Sequence, residues 1–534
     1  MSQPAPAPPA RRFSRRRAGV LVGVAVLLGL GLLWAFVGLG GRPDPDNTSE
    51  GGNGTASSPG TVPAGAVDVR TFGATGDGVT DDAPAIRKAL ESATAVHVPA
   101  GTYLLGSYFS PRFTEIDADF VFRLRGGQKI TAAPGAVFKM ADGVIPGSTA
   151  AWGGNVFLAD RTSDITISGL TLDLNGAHNL VPAGRTITGY GLYLYGAQRV
   201  TVEGVTMRDT PGQNYVVTQG GGSDIRIADS TFRNGGTSIP ENREQTDFSA
   251  LYFTAKGVRV ERVTIDHDAP PFTFSGGVEL HGSDESVTDS QIHRSWPAVY
   301  IGPDVYSGLE VQKNVEVARN RFVGCGRGVV FNALGTGDID GVRIADNDFG
   351  MASSPAFGQE PVRAIDQDMP PDGNWTYHHI VTNMTIGWNT IHGGDAASDA
   401  MIRLSQVHSA VIVGNRIDGV AGTVLELASS PWDTRNVLIE NNDIRWRAAR
   451  DLPTIALSFD GSSTTPDVPA FGAQDITVSD NKIRLAPASE GSCAVYANWA
   501  DGAQVSGVSV RGNSLHGVAN ATCGPQAGQI SVGP

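Results

Sequence analysis

Between residues 164 and 518, apolar and polar positions alternate in short blocks, and one phrase of about nine residues returns twelve times. DITISGLTL (164–172) recurs as RVTVEGVTM (199–207), DIRIADSTF (224–232), GVRVERVTI (257–265) and the degenerate ESVTDSQI (285–292). It continues as NVEVARNRF (314–322), GVRIADNDF (341–349), NMTIGWNTI (383–391) and SAVIVGNRI (409–417). The last copies are NVLIENNDI (436–444), DITVSDNKI (475–483) and GVSVRGNSL (507–515). The mean step is about 31 residues, a period typical of stacked repeats. Alternation with period two predicts strands rather than helices. Strands that turn corners and stack on their equivalents predict an all-β chain, a single parallel β-helix of about twelve or more coils. The leucine spacing of leucine-rich repeats and the four strands per blade of propellers do not fit.

After two inward β-branched residues, each copy carries a small or Asn position: Gly169, Gly204, Ser230, Val263 and Ser290, then Asn320, Asn347, Asn389, Asn415, Asn442, Asn481 and Asn513. Asn tolerates the left-handed backbone of a sharp corner, and equivalent amides stacked coil on coil can hydrogen-bond in a ladder. Both roles are expected of this column.

The chain before the repeat divides into segments. ARRFSRRR (10–17) closes a basic stretch, residues 1–17, that is expected on the cytoplasmic side. The 24 uncharged residues 18–41 that follow are long enough to cross a bilayer as a signal-anchor. Cleavage as a signal peptide is the competing reading, although no A-x-A-like site is present. Residues 42–66, rich in Gly, Pro, Ser and Thr, read as a flexible tether that places the solenoid outside the cell. Residues 67–105 read as a cap, with Asp81 or Asp82 at a helix N-terminus, Pro84 in its first turn, and Ile86, Ala89 and Leu90 on one apolar face. Residues 106–534 are the β-helix.

Within this cap, FGATGDGVTDDAPAI followed by VHVPAGTYLL resembles the N-terminal signature of the pectate-lyase-like superfamily. That group includes polygalacturonases, rhamnogalacturonases, mannuronate epimerases and phage tailspike proteins. The resemblance implies a right-handed parallel β-helix, probed by a carbohydrate polymer along one of its parallel sheets. It does not choose the chemistry, because hydrolases, lyases, epimerases and binding proteins share this capping device. The polygalacturonase set (N-T-D, a D-D pair on a strand, G-H-G, R-I-K) is missing. Asp266-His267-Asp268 approximates the D-P-H-D-like run of mannuronate epimerases, with the proline misplaced at 270.

The ligand-facing sheet is expected in a second set of strands between the copies, including YGLYLYG (190–196), SALYFTA (249–255), GGVELHG (276–282), PAVYIGP (297–303) and PVRAIDQD (361–368). Alternation puts Glu279 and His281 on one outer face, with Tyr300 one coil on, as candidate catalytic residues. A carboxylate beside an imidazole can raise the imidazole's pKa or orient it as a base, and a tyrosine can donate a proton. Tyr193, Tyr195, Gln219, Tyr252, Asn332, Arg363, Arg403 and Glu426 extend the row as candidate substrate contacts. The insert 366–379 adds Asp366, Asp368 and Trp375. Its aspartates are the one place for calcium; no other metal or cofactor is expected.

Composition adds limits. Lys and Arg total 40 against 54 Asp and Glu, for a net charge of −14, which argues against a nucleic-acid partner. An acidic body can still carry a local basic groove. Of the three cysteines, Cys493 and Cys523 flank the final copy and are placed to close that end as an extracellular disulfide, whereas Cys325 reads as a buried corner residue. The sequence-level reading is therefore a membrane-anchored, monomeric solenoid that works on extracellular polysaccharide by lyase or epimerase chemistry. A glycoside hydrolase and a non-catalytic glycan-binding solenoid are the alternatives.

Overall fold

The computed structural model describes residues 62–534, apart from 110–118, 145–153, 181–189, 236–247, 268–274, 305, 332–336, 353–360, 368–379, 395–399, 420–421, 430–432, 448–452, 460–471 and 500–501. The hydrophobic segment 18–41 lies outside these residues. Among the described residues no helix is long and apolar enough to cross a membrane.

Each copy of the phrase folds as two short strands joined at a corner, and the intervening segment supplies a third. Three parallel walls result. The first runs through Ser163–Ser168, Gln198–Glu203 and Ser223–Ala228, the second through Thr171–Asp173, Thr206–Thr210 and Thr231–Gly235. The third runs through Tyr190–Tyr195, Asn214–Gln219, Phe248–Phe253, Ser275–Leu280 and Val299–Ile301. Pairing along each wall is parallel and in register, as in Val200 against Ile225 or Glu279 against Tyr300. The interior is a continuous column of apolar residues such as Val200, Ile227, Val260, Val315 and Ile344, all buried. One helix, α1 (Ala83–Ser92), lays Ala83, Ile86, Ala89 and Leu90 on that core at the N-terminal end. Asp81 accepts from the Ala83 N–H, while the Asp82 side chain turns back to Thr75 and Gly76, so of the two acids only Asp81 bonds a helix N–H.

The asparagine ladder is present, but the corner role falls elsewhere. Asn320, Asn347, Asn389, Asn415, Asn442 and Asn481 are at most 2% exposed. Each donates Nδ2–H to the next coil's Asn Oδ1, which also accepts the first Asn's own N–H, at 2.9–3.1 Å. The same Nδ2 groups reach back to carbonyls of the preceding coil, as Asn389 does to Ile344 at 2.9 Å. The left-handed conformation belongs to the residue before each: Arg319, Asp346, Trp388, Gly414, Asn441, Asp480 and Gly512. In the early coils Gly169 and Gly204 are these left-handed residues, and the ladder column there is Leu170 and Val205, whose carbonyls accept from Thr206 and Thr231. The expected alignment is thus corrected by one position for the first two coils. Ser230 and Ser290 bridge the change, their Oγ atoms accepting from the Val205 and Val263 N–H groups.

Cys493 and Cys523 form a disulfide across the last coil. Cys325 is fully buried, and burial pushes its thiol up to about 12.

Asn389→Ala would strand a buried donor pair on Asn347 and a buried carbonyl at Ile344. It is expected to lower the unfolding free energy by about 2–4 kcal/mol in chemical denaturation. Trp388→Gly, at a left-handed position, is expected to leave stability within about 1 kcal/mol or to raise it.

Candidate functional site

Pairing fixes the outer row of the third wall. Tyr193, Val217, Tyr252, Glu279, Tyr300, Val330, Asp366, Arg403 and Glu426 stand in one register line, one per coil. Glu279 therefore lies between Tyr252 and Tyr300, as the alternation of the sequence expects. Their spacing is one rung, about 4.8 Å.

His281 leans to the same side as Glu279, its Nε2 3.0 Å from Glu279 Oε2. It is nevertheless fully buried, whereas the sequence placed it in solvent. The Tyr252 ring lies 4.9 Å from the imidazole and the Tyr300 ring 5.9 Å, so the two flanking tyrosines roof it. The other nitrogen, Nδ1, is 2.5 Å from the Gly302 carbonyl. A carbonyl can only accept, so Nδ1 carries a proton; against an ionised Glu279, Nε2 donates as well and His281 is an imidazolium. Burial opposes that charge, but the hydrogen bond to Glu279 and the nearby Asp304 and Gly302 groups overcome it and hold the imidazole up to about 9. Of the two effects expected of the pair, the structure carries the first: Glu279 raises the imidazole's pKa. Glu279 keeps 19% of its side chain exposed and is the member of the pair that reaches solvent.

Asp304 completes the centre and was not singled out in the sequence. It accepts from the Tyr252 hydroxyl and from the N–H groups of Tyr306 and Ser307, in the turn that follows the Tyr300 strand. Burial first, then Asp304, pushes the Tyr252 hydroxyl far above its usual range. The signal available was the Pro-Asp turn after that strand.

Further along, Arg363 does not stand in the outer row. It pairs with Arg327 at the strand entrance and is 2% exposed, while Asp366 takes the row position. Asp366 is buried and lies 3.2 Å from Arg327, 3.2 Å from Arg363 and 2.9 Å from Arg403. Burial would raise this carboxyl, but Arg403, Arg327 and Arg363 outweigh it and hold it below the usual range. Arg327, missed from the sequence, also lies 5.0 Å over the Trp296 ring. A carboxyl ringed by guanidinium groups does not fit a calcium ligand. No group of three or more His, Cys, Asp or Glu suited to a metal exists among the described residues. Asn332, Asp368 and Trp375 lie outside those residues.

The tyrosine platform is only partly available. Tyr193 is 1% exposed, packs with Phe120, Leu158, Tyr190 and Val217, and donates to Gln219 Oε1 at 2.9 Å; Gln219 is itself buried. Tyr195 is half-buried with the Arg161 guanidinium 5.3 Å from its ring. Tyr193 and Gln219 are thus buried against each other, and of the candidate tyrosines Tyr195, Tyr252 and Tyr300 are the half-buried ones. Arg403 and Glu426 hold their expected places, half-buried in adjacent rungs.

The His281 proton has a consequence for stability. Its folded value near 9 exceeds the ordinary 6.5, so its contribution is complete below pH 6.5 and is lost as pH rises through 9. Stability measured by denaturant unfolding is expected to fall over this window, and Glu279→Gln is expected to flatten the fall.

Residues 66–266 match a protein-family model described as rhamnogalacturonase A/epimerase, pectate lyase-like. The chain is 29% identical over 188 residues to the plasmin and fibronectin-binding protein A of Streptococcus pneumoniae, covering 33% of this chain and 25% of that protein. It is 30% identical over 196 residues to the pre-neck appendage protein of Bacillus phage phi29, covering 34% and 20%. It is 32% identical over 164 residues to the mannuronan C5-epimerase AlgE3 of Azotobacter vinelandii, covering 28% and 8%. The chain thus spans a quarter or less of the length of these relatives. Among solved structures, a mutant tailspike protein of E. coli bacteriophage HK620 in complex with a pentasaccharide superposes with a TM-score of 0.58 at 14% identity. That match covers 88% of this chain and 80% of the tailspike, a likeness of fold. Over residues 66–266 the chain is thus similar to the rhamnogalacturonase A/epimerase, pectate lyase-like family, and its three parallel walls share the fold of the tailspike.

Proposed function

We propose that the third wall binds an acidic polysaccharide and that Glu279, His281 and Tyr300 act on it by uronate lyase or epimerase chemistry. The observation that carries this reading is the Glu279–His281 pair at 3.0 Å, its imidazole roofed by Tyr252 and Tyr300 on one parallel wall. The relatives give it context: one is a mannuronan epimerase, and one solved neighbour holds a pentasaccharide.

In elimination, Glu279 takes the C5 proton of a uronate ring and the C–H electron pair becomes the C4–C5 double bond. The C4–O bond breaks, and the leaving oxygen takes the Tyr300 proton. In epimerisation the C4–O bond stays intact and Tyr300 delivers its proton to the opposite face of C5. The His281 imidazolium orients Glu279 and balances its charge before transfer. Arg403 stands four rungs from Glu279, roughly 19 Å along the wall, a spacing for carboxylates of neighbouring sugars.

A hydrolase finds less support. Its second carboxylate would have to lie within about 9.5 Å of Glu279; Asp366 is three rungs away, roughly 14 Å, and pinned by three arginines, while Asp304, the acid beside the pair, is 4% exposed and taken up by Tyr252, Tyr306 and Ser307. A non-catalytic glycan-binding wall is the second reading, favoured by the engagement of both His281 nitrogens. The uncharged segment 18–41 supports a location on the outer face of a membrane, with the wall held off by residues 42–66.

Incubation with uronate-containing and neutral polysaccharides is expected to give unsaturated, ultraviolet-absorbing products or inverted C5 centres in uronates alone. Glu279→Ala is expected to lower turnover by about 10²–10⁴-fold. Reducing ends without unsaturation would make it a hydrolase, and binding without turnover would make it a binding wall.

A further inference from the structure

The first wall carries an acid inside the core. Glu285 occupies the inward register that Val315 fills on the next coil, and its backbone lies beside Val258 of the coil before. It is 1% exposed. Its Oε2 accepts from the Gly282 N–H at 3.0 Å and from Gln312 Nε2 at 3.1 Å. Gln312, buried at a register held by Ile339 on the next coil, also donates to the Leu280 carbonyl at 3.0 Å. Both outer oxygens, Glu285 Oε1 and Gln312 Oε1, are buried without a partner. A polar pair in an apolar column costs stability that valine and isoleucine would not.

The two groups this pair holds are the peptide groups on either side of His281. Leu280 supplies the carbonyl before it and Gly282 the N–H after it. Gly282 has no room for a side chain, since a Cβ would sit 2.1 Å from the Ala255 carbonyl oxygen, so the backbone lies against the neighbouring coil. From outside, His281 meets Glu279 on its own strand, Asp304 and Gly302 from the following turn, and the rings of Tyr252 and Tyr300 from the two flanking strands. From inside, it is backed by Glu285 and Gln312 alone among these polar groups.

We infer that Glu285, tied through Gln312, is a positioning residue that fixes the backbone of His281 so that both imidazole nitrogens meet their acceptors. This rests on the reading of Glu279 and His281 as the reacting pair, but its first test does not. Burial raises the Glu285 carboxyl well above its usual range, with His281, Gln312 and Gly282 partly offsetting it, in keeping with a hydrogen-bonding rather than a charge role.

The His281 imidazole is followed by NMR titration in the folded protein and in two variants. Glu285→Val, the residue of the neighbouring coils, leaves the Gly282 N–H and Gln312 Nε2 without this acceptor and is expected to stay folded with a lower Tm. Its His281 midpoint is expected to drop by about one pH unit or more towards the ordinary value. Glu285→Gln, which keeps an acceptor for Gly282, is expected to hold the wild-type midpoint. An unchanged midpoint in Glu285→Val overturns the inference, and an equal drop in Glu285→Gln replaces positioning with charge and overturns it too. Should Glu285→Val not fold, Gln312→Met cuts the same tie from the other side, and an unchanged His281 midpoint there is equally fatal. With a uronate polymer that the wild type turns over, Glu285→Val is expected to lower kcat with KM unchanged. If no polymer is turned over by the wild type, the titration still decides the positioning role, and only the enzymatic reading fails.

Discussion

Everything in this molecule depends on coil-to-coil register. A parallel strand pair slipped by one residue would turn every inward side chain outward, and the hydrocarbon column would be lost. The apolar column fixes which face is inside. In the later coils the buried amides fix the alignment further, because each Asn Oδ1 accepts two donors from one residue of the coil beneath. The line Tyr252–Glu279–Tyr300 on the outer wall is set by the same pairing, although none of its members touches the ladder.

Much of this was legible because the repeat is long and its strands are simple. The phrase located the first two walls, the intervening strands located the third, and their alternation put Glu279 beside Tyr252 and Tyr300. Legibility ended where an apolar residue stood on both parities. In PVRAIDQD, Val362 and Ala364 suggest one inward set and Ile365 the other, so Arg363 was read as outward when Asp366 holds that place. Alternation also gives the side of a strand and not the depth of cover. His281 has its expected side, but the rings that roof it come from other coils.

The misplaced corner has a similar origin. Asn and Gly both suit left-handed backbone, so placing them in one column was chemically reasonable. The flanks show otherwise: Gly169 and Gly204 each stand one residue before the apolar Leu170 and Val205, just as Arg319 stands before Asn320. Glu285 was visible as well, as the acid opening the degenerate copy ESVTDSQI where the other copies carry an apolar residue, Val or Ile in most. Degeneracy in a repeat is informative when the replaced position points into the core.

The interior of the solenoid is made of two materials. From Leu170 to Val263 its corner column is mostly hydrocarbon with a single serine, and from Ser290 onward it is hydroxyl and then amide. The Glu279 strand falls between Val263 and Ser290, at the joint. A polymer lying along the third wall would therefore cross from a segment held by non-directional contacts to one held by directional bonds, with the imidazolium at the crossing.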